Sequence, residues 1–445
     1  MARIVMKFGG TSVGKPGRMQ SIRTLITSDD TRKIVVLSAL SGTTNDLLAI
    51  GESLKANDDA GANAKIDALK AHYDTFIGEL YRTDSGKAAG QQAVDNEFAF
   101  IRSLTRIEPF TLRQEKELVA EGELLSTQLF QAYLTEEGVA SVLLPALEFM
   151  RIDADNEPDI QYTEERLTEI LSQHADKQII VTQGFICRNP RGEVDNLKRG
   201  GSDYTASLIG AAIEATAIEI WTDVDGMLTA DPRVVPGARP IEQIRFDEAS
   251  ELASFGAKVL HPATIAPAVR LGIPVWIYNS RNPGGHGTRI TFDAPRRSVT
   301  AIAAKRDTTI LRVATGRMLF QPGFLRRVFE LFDEHSVSVD VVATSEVSVS
   351  VTVDDTAPLD VLLGALRQVG DVSVERRRAI ISVVGSGIAD DASAMGAVLR
   401  ALGHRRIHML SLSASAINLT ILLDDADVPD AMRALHAALF EDVTP

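Results

Sequence analysis

Short apolar, β-branched runs alternate with longer amphipathic segments along the first two-thirds of the chain. The apolar runs predict strands at residues 3–8, 33–38, 140–144, 178–183, 217–222 and 273–278. The amphipathic segments predict helices at residues 45–55, 60–80, 110–136, 162–174 and 203–215. This alternation is typical of a mostly parallel sheet with helices on both faces. We therefore expect a three-layer αβα domain over residues 1–295, with a helical excursion near residues 51–105.

The pattern changes after a glycine-rich turn at residues 283–287. From about residue 298 the strands shorten and come in pairs, and residues 344–355 align without a gap with residues 414–425. The ungapped register disfavours two unrelated hairpins. Each copy reads as a βαββα unit, close to the split βαβ pattern of ferredoxin-like modules. We expect two such modules, at residues 296–376 and 377–445, with a strand at 298–304 available to complete the second.

Composition and charge exclude several classes of protein. Lys and Arg number 46 against 60 Asp and Glu, a net charge of −14, which argues against nucleic acid or an anionic membrane as a partner. No apolar run approaches the ~18 residues that a membrane span needs. The apolar stretch at the start of the sequence is shorter than the apolar region of a signal peptide, so we expect none there. The single cysteine, Cys187, excludes an intrachain disulfide framework and a cysteine-based zinc cluster. We expect a cytoplasmic protein.

The first candidate for chemistry is the segment Lys-Phe-Gly-Gly-Thr-Ser-Val-Gly-Lys at residues 7–15, directly after the first predicted strand. Glycines at a strand end let backbone N–H groups approach a phosphate, and a lysine adds positive charge. The segment nearly matches a P-loop, but Pro16 stands where a Ser or Thr must supply a hydroxyl, so the P-loop is rejected. An ordinary strand-to-helix turn is the alternative.

The second candidate is Arg-Gly-Gly-Ser-Asp at residues 199–203, which leads into a predicted helix. A helix N-terminus favours an anion, and Arg199 can hold a carboxylate in bidentate fashion. Helix capping by Ser202 or Asp203 is the alternative role.

Three further segments carry suitable groups. Thr222-Asp223 stands at the end of a predicted strand, which is where open α/β sheets bind their ligands. The alternative is an Asp-Gly turn without a function. The segment Asp231-Pro-Arg233 follows a few residues later. Lys258, in an apolar stretch, suits a phosphate contact or simply extends to solvent. Glu121 and Glu123 suit an amine, or form a solvated helix face.

Together these segments resemble the aspartate kinases of the amino-acid kinase superfamily. The resemblance covers essentially the whole chain, and the C-terminal repeats resemble paired ACT domains. It rests on motifs in the family's order: residues 7–13 (Lys-Phe-Gly-Gly-Thr-Ser-Val), 38–45 (Ser-Ala-Leu-Ser-Gly-Thr-Thr-Asn), 121–124 (Glu-Gly-Glu-Leu), 199–204 (Arg-Gly-Gly-Ser-Asp-Tyr), 221–224 (Trp-Thr-Asp-Val) and 255–262 (Phe-Gly-Ala-Lys-Val-Leu-His-Pro).

The resemblance implies that ATP and L-aspartate give ADP and 4-phospho-L-aspartate, the first step towards lysine, threonine and methionine. It makes Lys7 the group that stabilises the transferred phosphoryl group and Asp203 the residue that organises the site. The aspartate-binding residues it implies are Thr44, Glu123, Arg199, Gly200, Gly201 and Ser202. The nucleotide-binding residues are Lys7, Phe8, Gly9, Gly10, Thr222, Asp223, Arg233, Lys258 and Val259. Mg²⁺ is expected to be held mainly by the phosphates, with no protein metal ligand.

Regulation is the least determined part. We expect a homodimer or larger assembly joined through the C-terminal modules, and an amino-acid effector site built from Met318, Gly323, Phe324, Leu325, Val339, Asp340, Thr344 and Ser345. The sequence departs from the family pattern at two places. Leu228 stands where many relatives have a tyrosine near the nucleotide, so that contact is not carried over. Gln321-Pro322 stands where lysine-sensitive relatives tend to have Ser-Arg, which leaves the effector pocket open. The effector is therefore lysine, threonine, both or neither. Two other functions remain as alternatives, an amino-acid sensor without turnover and a kinase for another small carboxylate.

Overall fold

The computed structural model describes residues 3–197, 200–256, 262–316, 323–354, 359–413 and 415–441. The chain forms two compact units. The first comprises Met1–Met227 and Val259–Asp293, and the second comprises Leu228–Lys258 and Ala294–Pro445. No helix within the described ranges combines the length and apolar character of a membrane span.

The strands, in chain order, are β1 (Arg3–Phe8), β2 (Arg32–Leu37), β3 (Ser141–Leu143), β4 (Ile179–Gln183), β5 (Ile186–Arg188), β6 (Val194–Asn196), β7 (Ala217–Thr222), β8 (Gln243–Ile244), β9 (Val275–Asn279), β10 (Thr288–Ile290), β11 (Ala301–Ala314), β12 (Val342–Thr344), β13 (Ser348–Asp354), β14 (Asp371–Val384), β15 (Met409–Leu412) and β16 (Asn418–Asp424).

The α-helices are α1 (Gly10–Val13), α2 (Pro16–Ile26), α3 (Thr43–Lys55), α4 (Asp59–Leu80), α5 (Asp84–Leu104), α6 (Leu112–Glu136), α7 (Ile160–Gln173), α8 (Gly201–Ala212), α9 (Phe246–Ser254), α10 (Ala266–Leu271), α11 (Phe324–Glu334), α12 (Leu359–Leu366), α13 (Ala392–Leu402) and α14 (Val428–His436).

The first unit is built on a mostly parallel sheet, which confirms the predicted α/β class. Its strands follow the order β3-β4-β2-β1-β7-β9-β10. All neighbouring pairs are parallel except β9 and β10. The carboxyl ends of β1, β2, β4 and β7 therefore lie along one edge of the sheet, where open α/β sheets bind ligands.

The predicted helical excursion is α3, α4 and α5. Helices α3 and α5 pack against α6, and α4 packs against α3 and α5. Their apolar faces form one core with the sheet, in which Phe8, Leu47, Tyr73, Phe98 and Phe130 are 0–1% exposed. Burying these large side chains is the main stabilising contribution, at about 1.5–3 kcal/mol for each. This packing fixes α6, which carries Glu121 and Glu123, against the sheet.

The second unit contains one antiparallel sheet with the order β12-β13-β11-β14-β16-β15, which agrees with two ACT-like modules. The two 14-residue strands β11 and β14 pair along most of their length. Ala301–Ala304 pair with the leading strand of the second module, at residues 381–384. Further along, residues 310–314 pair with residues 371–375. Each long strand thus contributes to both modules.

The compact units differ from the expected boundary at residue 295 in one segment, residues 228–258, which packs in the second unit. Ala230 and Val235 share a buried apolar core with Met432 and Leu435 of α14. Glu248 of α9 is fully buried and accepts hydrogen bonds from Thr300 Oγ1 (3.0 Å) and from the Ser386 amide (2.7 Å). A cut at residue 295 would leave this carboxylate without those two donors.

Candidate active site

The Lys7 side chain, at the end of β1, is held by an ion pair. Its Nζ lies 2.7 Å from Oδ1 of Asp203, in the first turn of α8, and the two side chains are 12% and 21% exposed. A Cβ added at Gly9 would come within 3.3 Å of this Nζ, so a glycine leaves room for it. The lysine is therefore oriented by a carboxylate but still reachable from solvent.

Helix α8 begins without a side-chain cap. Gly200 precedes it with φ of +80°, a conformation that glycine adopts readily. A side chain at Gly201 would collide with the Phe185 ring, since its Cβ would lie 2.5 Å from Cδ2. Asp203 binds Lys7, and Ser202 accepts a hydrogen bond from Ser38 Oγ (2.9 Å). The alternative of capping by Ser202 or Asp203 is therefore not observed.

A cavity of about 340 Å³ opens beside this pair, at the carboxyl ends of β2 and β4. It brings together three predicted substrate residues, Thr44, Glu123 and Ser202. The other lining residues are Gly10, Ser38, Ala39, Leu40, Ser41, Gly42, Asn45 and Phe185. Sequence reasoning assigned no role to Phe185, although it stands two residues beyond the end of β4, where ligand contacts are common.

Glu123 lies on α6 and is 4% exposed. Its Oε1 accepts from the Ala39 amide at 3.1 Å, and its Oε2 is buried without a hydrogen-bond partner among the described residues. Burial raises the pKa of this carboxyl to about 7, although the Ala39 hydrogen bond and the charge of Lys7 oppose the shift. A buried carboxylate with an open oxygen is well suited to accept an ammonium group.

Glu121 is also buried, at 3% exposure, so the alternative of a solvated helix face is wrong for both glutamates. Burial and a hydrogen bond with Glu97 raise the pKa of Glu121 to about 10. Glu97 in turn accepts a hydrogen bond from Gln128. Glu123 lines the cavity, whereas Glu121 is outside the set of cavity-lining residues.

The predicted nucleotide residues of the first unit lie on adjacent strand ends. The Gly9 amide donates to the Trp221 carbonyl at 3.3 Å, which places β1 beside β7 and Thr222. Ser280 Oγ donates to the Thr222 carbonyl at 2.9 Å and lies 2.8 Å from Ser12 Oγ. The structure therefore brings Phe8, Gly9 and Gly10 to the same edge as Thr222 and Asp223.

The remaining nucleotide residues lie elsewhere. Arg233 belongs to the second unit, where its side chain is 83% exposed and ion-paired with Asp231 at 2.6 Å. Arg199, Lys258 and Val259 lie outside the described residues, as does Met318 of the effector set. Within the described ranges no three His, Cys, Asp or Glu side chains are grouped to hold a metal ion.

The predicted effector residues are distributed over the first module. Gly323 precedes α11 with φ of +88°, Phe324 is 8% exposed in the module core, and Leu325 is 37% exposed. Val339 packs against the same core. The Asp340 amide donates to Thr352 O, whereas Thr344 pairs with Val349 nearer the other end of β13, and Ser345 is bonded to Ser348. Asp340 thus lies two residues before the edge strand β12, whereas Thr344 is the last residue of that strand.

Comparison with known proteins identifies the families that the two parts of the chain resemble. The profile of the amino acid kinase family matches residues 2–279, and an ACT domain profile matches residues 381–439. Aspartokinase 2, chloroplastic, of Arabidopsis thaliana is 37% identical over 98% of this chain and 84% of its own length. Lysine-sensitive aspartokinase 3 of Escherichia coli (strain K12) is 35% identical over 98% of this chain and 99% of its own.

Solved structures give the same result. Escherichia coli aspartokinase III in complex with aspartate and ADP (R-state) superposes with a TM-score of 0.84 at 35% identity, covering 98% of this chain and all of that one. The same enzyme in complex with lysine and aspartate (T-state) superposes with a TM-score of 0.81, and the match covers 98% of this chain and 99% of that one. Because the family profile matches more than half of the chain and these relatives match nearly all of it, the chain belongs to the amino acid kinase family and, within it, to the aspartokinases.

Proposed function

We propose that the protein transfers the γ-phosphoryl group of ATP to the side-chain carboxylate of L-aspartate, giving ADP and 4-phospho-L-aspartate. The observation that carries this proposal is the Lys7–Asp203 pair beside a cavity lined by the buried carboxylate of Glu123. It is supported by the complex of the Escherichia coli relative with aspartate and ADP.

The chemistry requires positive charge rather than a general base. An aspartate side chain, with an ordinary pKa of about 3.9, is already ionised at neutral pH. The difficulty is to bring this anion to an anionic triphosphate, so catalysis depends on positioning and on electrostatic stabilisation. Lys7 supplies a cation at the strand end, and Asp203 keeps its Nζ in one position.

Aspartate recognition divides between charged and hydroxyl groups. Glu123 receives the ammonium group, while the Thr44 and Ser202 hydroxyls line the same cavity. By resemblance, Arg199 holds a carboxylate of the substrate, and Gly200 and Gly201 keep the backbone close to it. A volume of about 340 Å³ suits a small amino acid.

For the nucleotide, we assign the turn after β1 and the Thr222-Asp223 strand end to the phosphates and the adjoining part of ATP. By resemblance, Arg233, Lys258 and Val259 complete this site. By resemblance, Mg²⁺ bound with ATP neutralises phosphate charge and is held mainly by the phosphates.

We extend the proposal to regulation and assembly. The ACT-like modules bind an amino-acid effector, and the protein is a cytoplasmic homo-oligomer joined through these modules. The exposed apolar side chains of edge strands β12 and β15, Val342, Leu410 and Leu412, support association at a sheet edge.

A coupled assay of ADP release tests the function. We expect release that depends on both aspartate and ATP, with an acyl phosphate product that hydroxylamine traps as a hydroxamate. Aspartate binding without ADP release would favour the sensor alternative. Turnover with an acetylated glutamate that exceeds turnover with aspartate would favour a kinase for another carboxylate.

A further inference from the structure

The turn that follows β4 has a strained backbone. Phe185, at its centre, has φ of +67°, and the Ile186 amide donates across the turn to the Gly184 carbonyl at 2.7 Å. A three-residue turn with a positive φ at its central residue is rare and strained, above all when that residue is not glycine. Such a conformation persists only where surrounding groups hold it in place.

The turn packs directly against the start of α8, and two glycines make this close approach possible. A Cβ added at Gly184 would lie 2.4 Å from Cβ of Ser202, and one added at Gly201 would lie 2.5 Å from Cδ2 of Phe185. Phe185 and Ser202 both line the cavity. Any shift of the turn against α8 therefore changes the wall of the cavity.

One hydroxyl group joins the turn to the helix. Thr205, in α8, is 0% exposed. Its Oγ1 accepts a hydrogen bond from the Phe185 amide at 2.9 Å and donates to the Gly201 carbonyl at 3.1 Å. Because a hydroxyl has a single proton, donation to Gly201 leaves a lone pair for the Phe185 amide. Thr205 thus ties the strained turn to the first turn of α8.

The other side of the turn is held independently of Thr205. The Leu197 amide, which directly follows β6, donates to the Phe185 carbonyl at 2.8 Å. Without the Thr205 hydroxyl, the peptide group between residues 184 and 185 loses its partner, whereas the Phe185 carbonyl keeps its own. We therefore expect Phe185 to shift in the cavity wall without unfolding of the turn.

We propose that Thr205 is a positioning residue for aspartate: its hydroxyl holds the turn at residues 184–186 in the strained form that keeps Phe185 in the cavity wall. This rests on the proposed function, in which the cavity receives aspartate. Thr205 is outside the set of cavity-lining residues, so it acts through Phe185 and does not touch the substrate. A misplacement of about 1 Å in the groups that position a substrate is enough to impair an enzyme.

Substitutions at residue 205 test the hydroxyl. Thr205→Val keeps the shape of the side chain but removes the acceptor for the Phe185 amide, whereas Thr205→Ser keeps the hydroxyl. We expect Thr205→Val to raise KM for aspartate about tenfold, because the amide is left without its partner. Thr205→Ser should stay within about threefold of wild type, and KM for ATP should change by less than about twofold in both. Thr205→Ala, which also lacks the hydroxyl, should rank with Thr205→Val.

Calorimetric titration of the full-length chain with L-aspartate in the presence of ADP gives a readout that does not need turnover, and we expect the same ranking there. Thr163→Val is the matched control, because Thr163 is a threonine of α7 that is 1% exposed and its hydroxyl lies 3.9 Å from Met150 Sδ instead of at the turn. This variant should bind aspartate as the wild type does.

A substitution of Phe185 tests whether Thr205 acts through this residue. Phe185→Ala should itself raise KM for aspartate. Adding Thr205→Val to Phe185→Ala should cause little further rise, because two residues that share one role have non-additive effects.

An unchanged KM for aspartate in Thr205→Val and Thr205→Ala would overturn the proposal. An equal effect of Thr163→Val, a parallel rise in KM for ATP, or a full additional effect of Thr205→Val in the Phe185→Ala background would overturn it too. A wild type that binds aspartate, with the expected ranking of variants, but never phosphorylates it would instead contradict the proposed function and leave the positioning role supported.

Discussion

Lys305 Nζ lies 2.8 Å from both side-chain oxygens of Asp340 and 2.8 Å from Oδ1 of Asp354. Although partial burial favours the neutral amine, the hydrogen bonds with Asp340 and Asp354 raise the pKa of Lys305, so its ammonium is charged at neutral pH. Asp340 is the one carboxylate among the predicted effector residues, so it is the candidate partner for the ammonium of an amino-acid effector. A cation of the chain itself already neutralises Asp340, and an effector that bound there would have to compete with Lys305.

Replacing Lys305 should strengthen inhibition. In Lys305→Met, Asp340 loses its internal partner, and we expect the concentration of effector giving half-inhibition to fall by up to about fivefold, the range of a partly exposed ion pair. Inhibition curves with lysine and with threonine measure this, and Lys305→Arg serves as the charge-conserving control. Unchanged curves in Lys305→Met, together with loss of inhibition in Asp340→Ala, would show that Lys305 does not compete.

Lys7→Ala should lose turnover far more than stability. Removing one well-placed electrostatic group typically costs ~10²–10³ in rate. The partner left behind, Asp203, is 21% exposed and can be solvated, so the melting temperature should change little. Turnover of the purified variant is compared with that of Lys15→Ala, an exposed lysine nearby that should remain active. Near-normal turnover in Lys7→Ala would remove Lys7 from the catalytic role.

Glu123 should impose a pH dependence on aspartate binding. Its pKa is raised to about 7, so in the free protein the carboxyl is neutral below this pH and ionised above it. The ammonium of aspartate binds the ionised form, so kcat/KM for aspartate should rise as pH increases from 6 to 8. In Glu123→Gln the overall value should fall and this acid limb should disappear. An acid limb that persists in Glu123→Gln would assign the titration to another group.

Glu121 should make the protein less stable at alkaline pH. Its pKa is raised from 4.5 to about 10, so between these values the folded protein holds a proton that the unfolded chain has released. The free energy of unfolding therefore falls as pH rises, by about 1.4 kcal/mol per pH unit for one proton. Glu121→Gln removes this dependence, so its stability relative to wild type should improve from pH 6 to pH 9 in thermal or denaturant unfolding.

The matched control is Glu117→Gln, on the same helix, where the glutamate is paired with Arg113 at 3.1 Å. Its pH dependence should follow that of the wild type. If Glu121→Gln shows the same slope as the wild type, the buried carboxyl does not hold a proton in the folded state.

The sequence predicts those parts of the structure that are determined by residues close to one another in the chain. The turn after β1 and the start of α8 are specified by glycines next to Lys7 and Asp203, and strand alternation predicted that their ends would meet at one edge. The expected helices were displaced by only a few residues, as for α3, which begins at Thr43 instead of residue 45.

Long-range contacts could not be predicted in this way. Nothing near His436 in the sequence indicates that its Nε2 lies 2.9 Å from Thr229 Oγ1, and nothing near Glu121 indicates its hydrogen bond with Glu97, because both contacts depend on tertiary packing. Phe185 was missed for a different reason: it has φ of +67°, rare for an aromatic residue, and the fold maintains it through hydrogen bonds from its amide to Thr205 Oγ1 and from the Leu197 amide to its carbonyl.

The long strand β14 limits where this chain can be joined to that of a relative in a chimaeric protein. It leaves the first module and enters the second as one continuous strand, and β11 does the same beside it. A crossover point between the modules would therefore fall inside a hydrogen-bonded ladder, exposing unpaired backbone groups on both fragments. Chimaeras that exchange regulatory specificity with a relative must transfer both modules together, and residues 228–258 with them, because that segment shares their core.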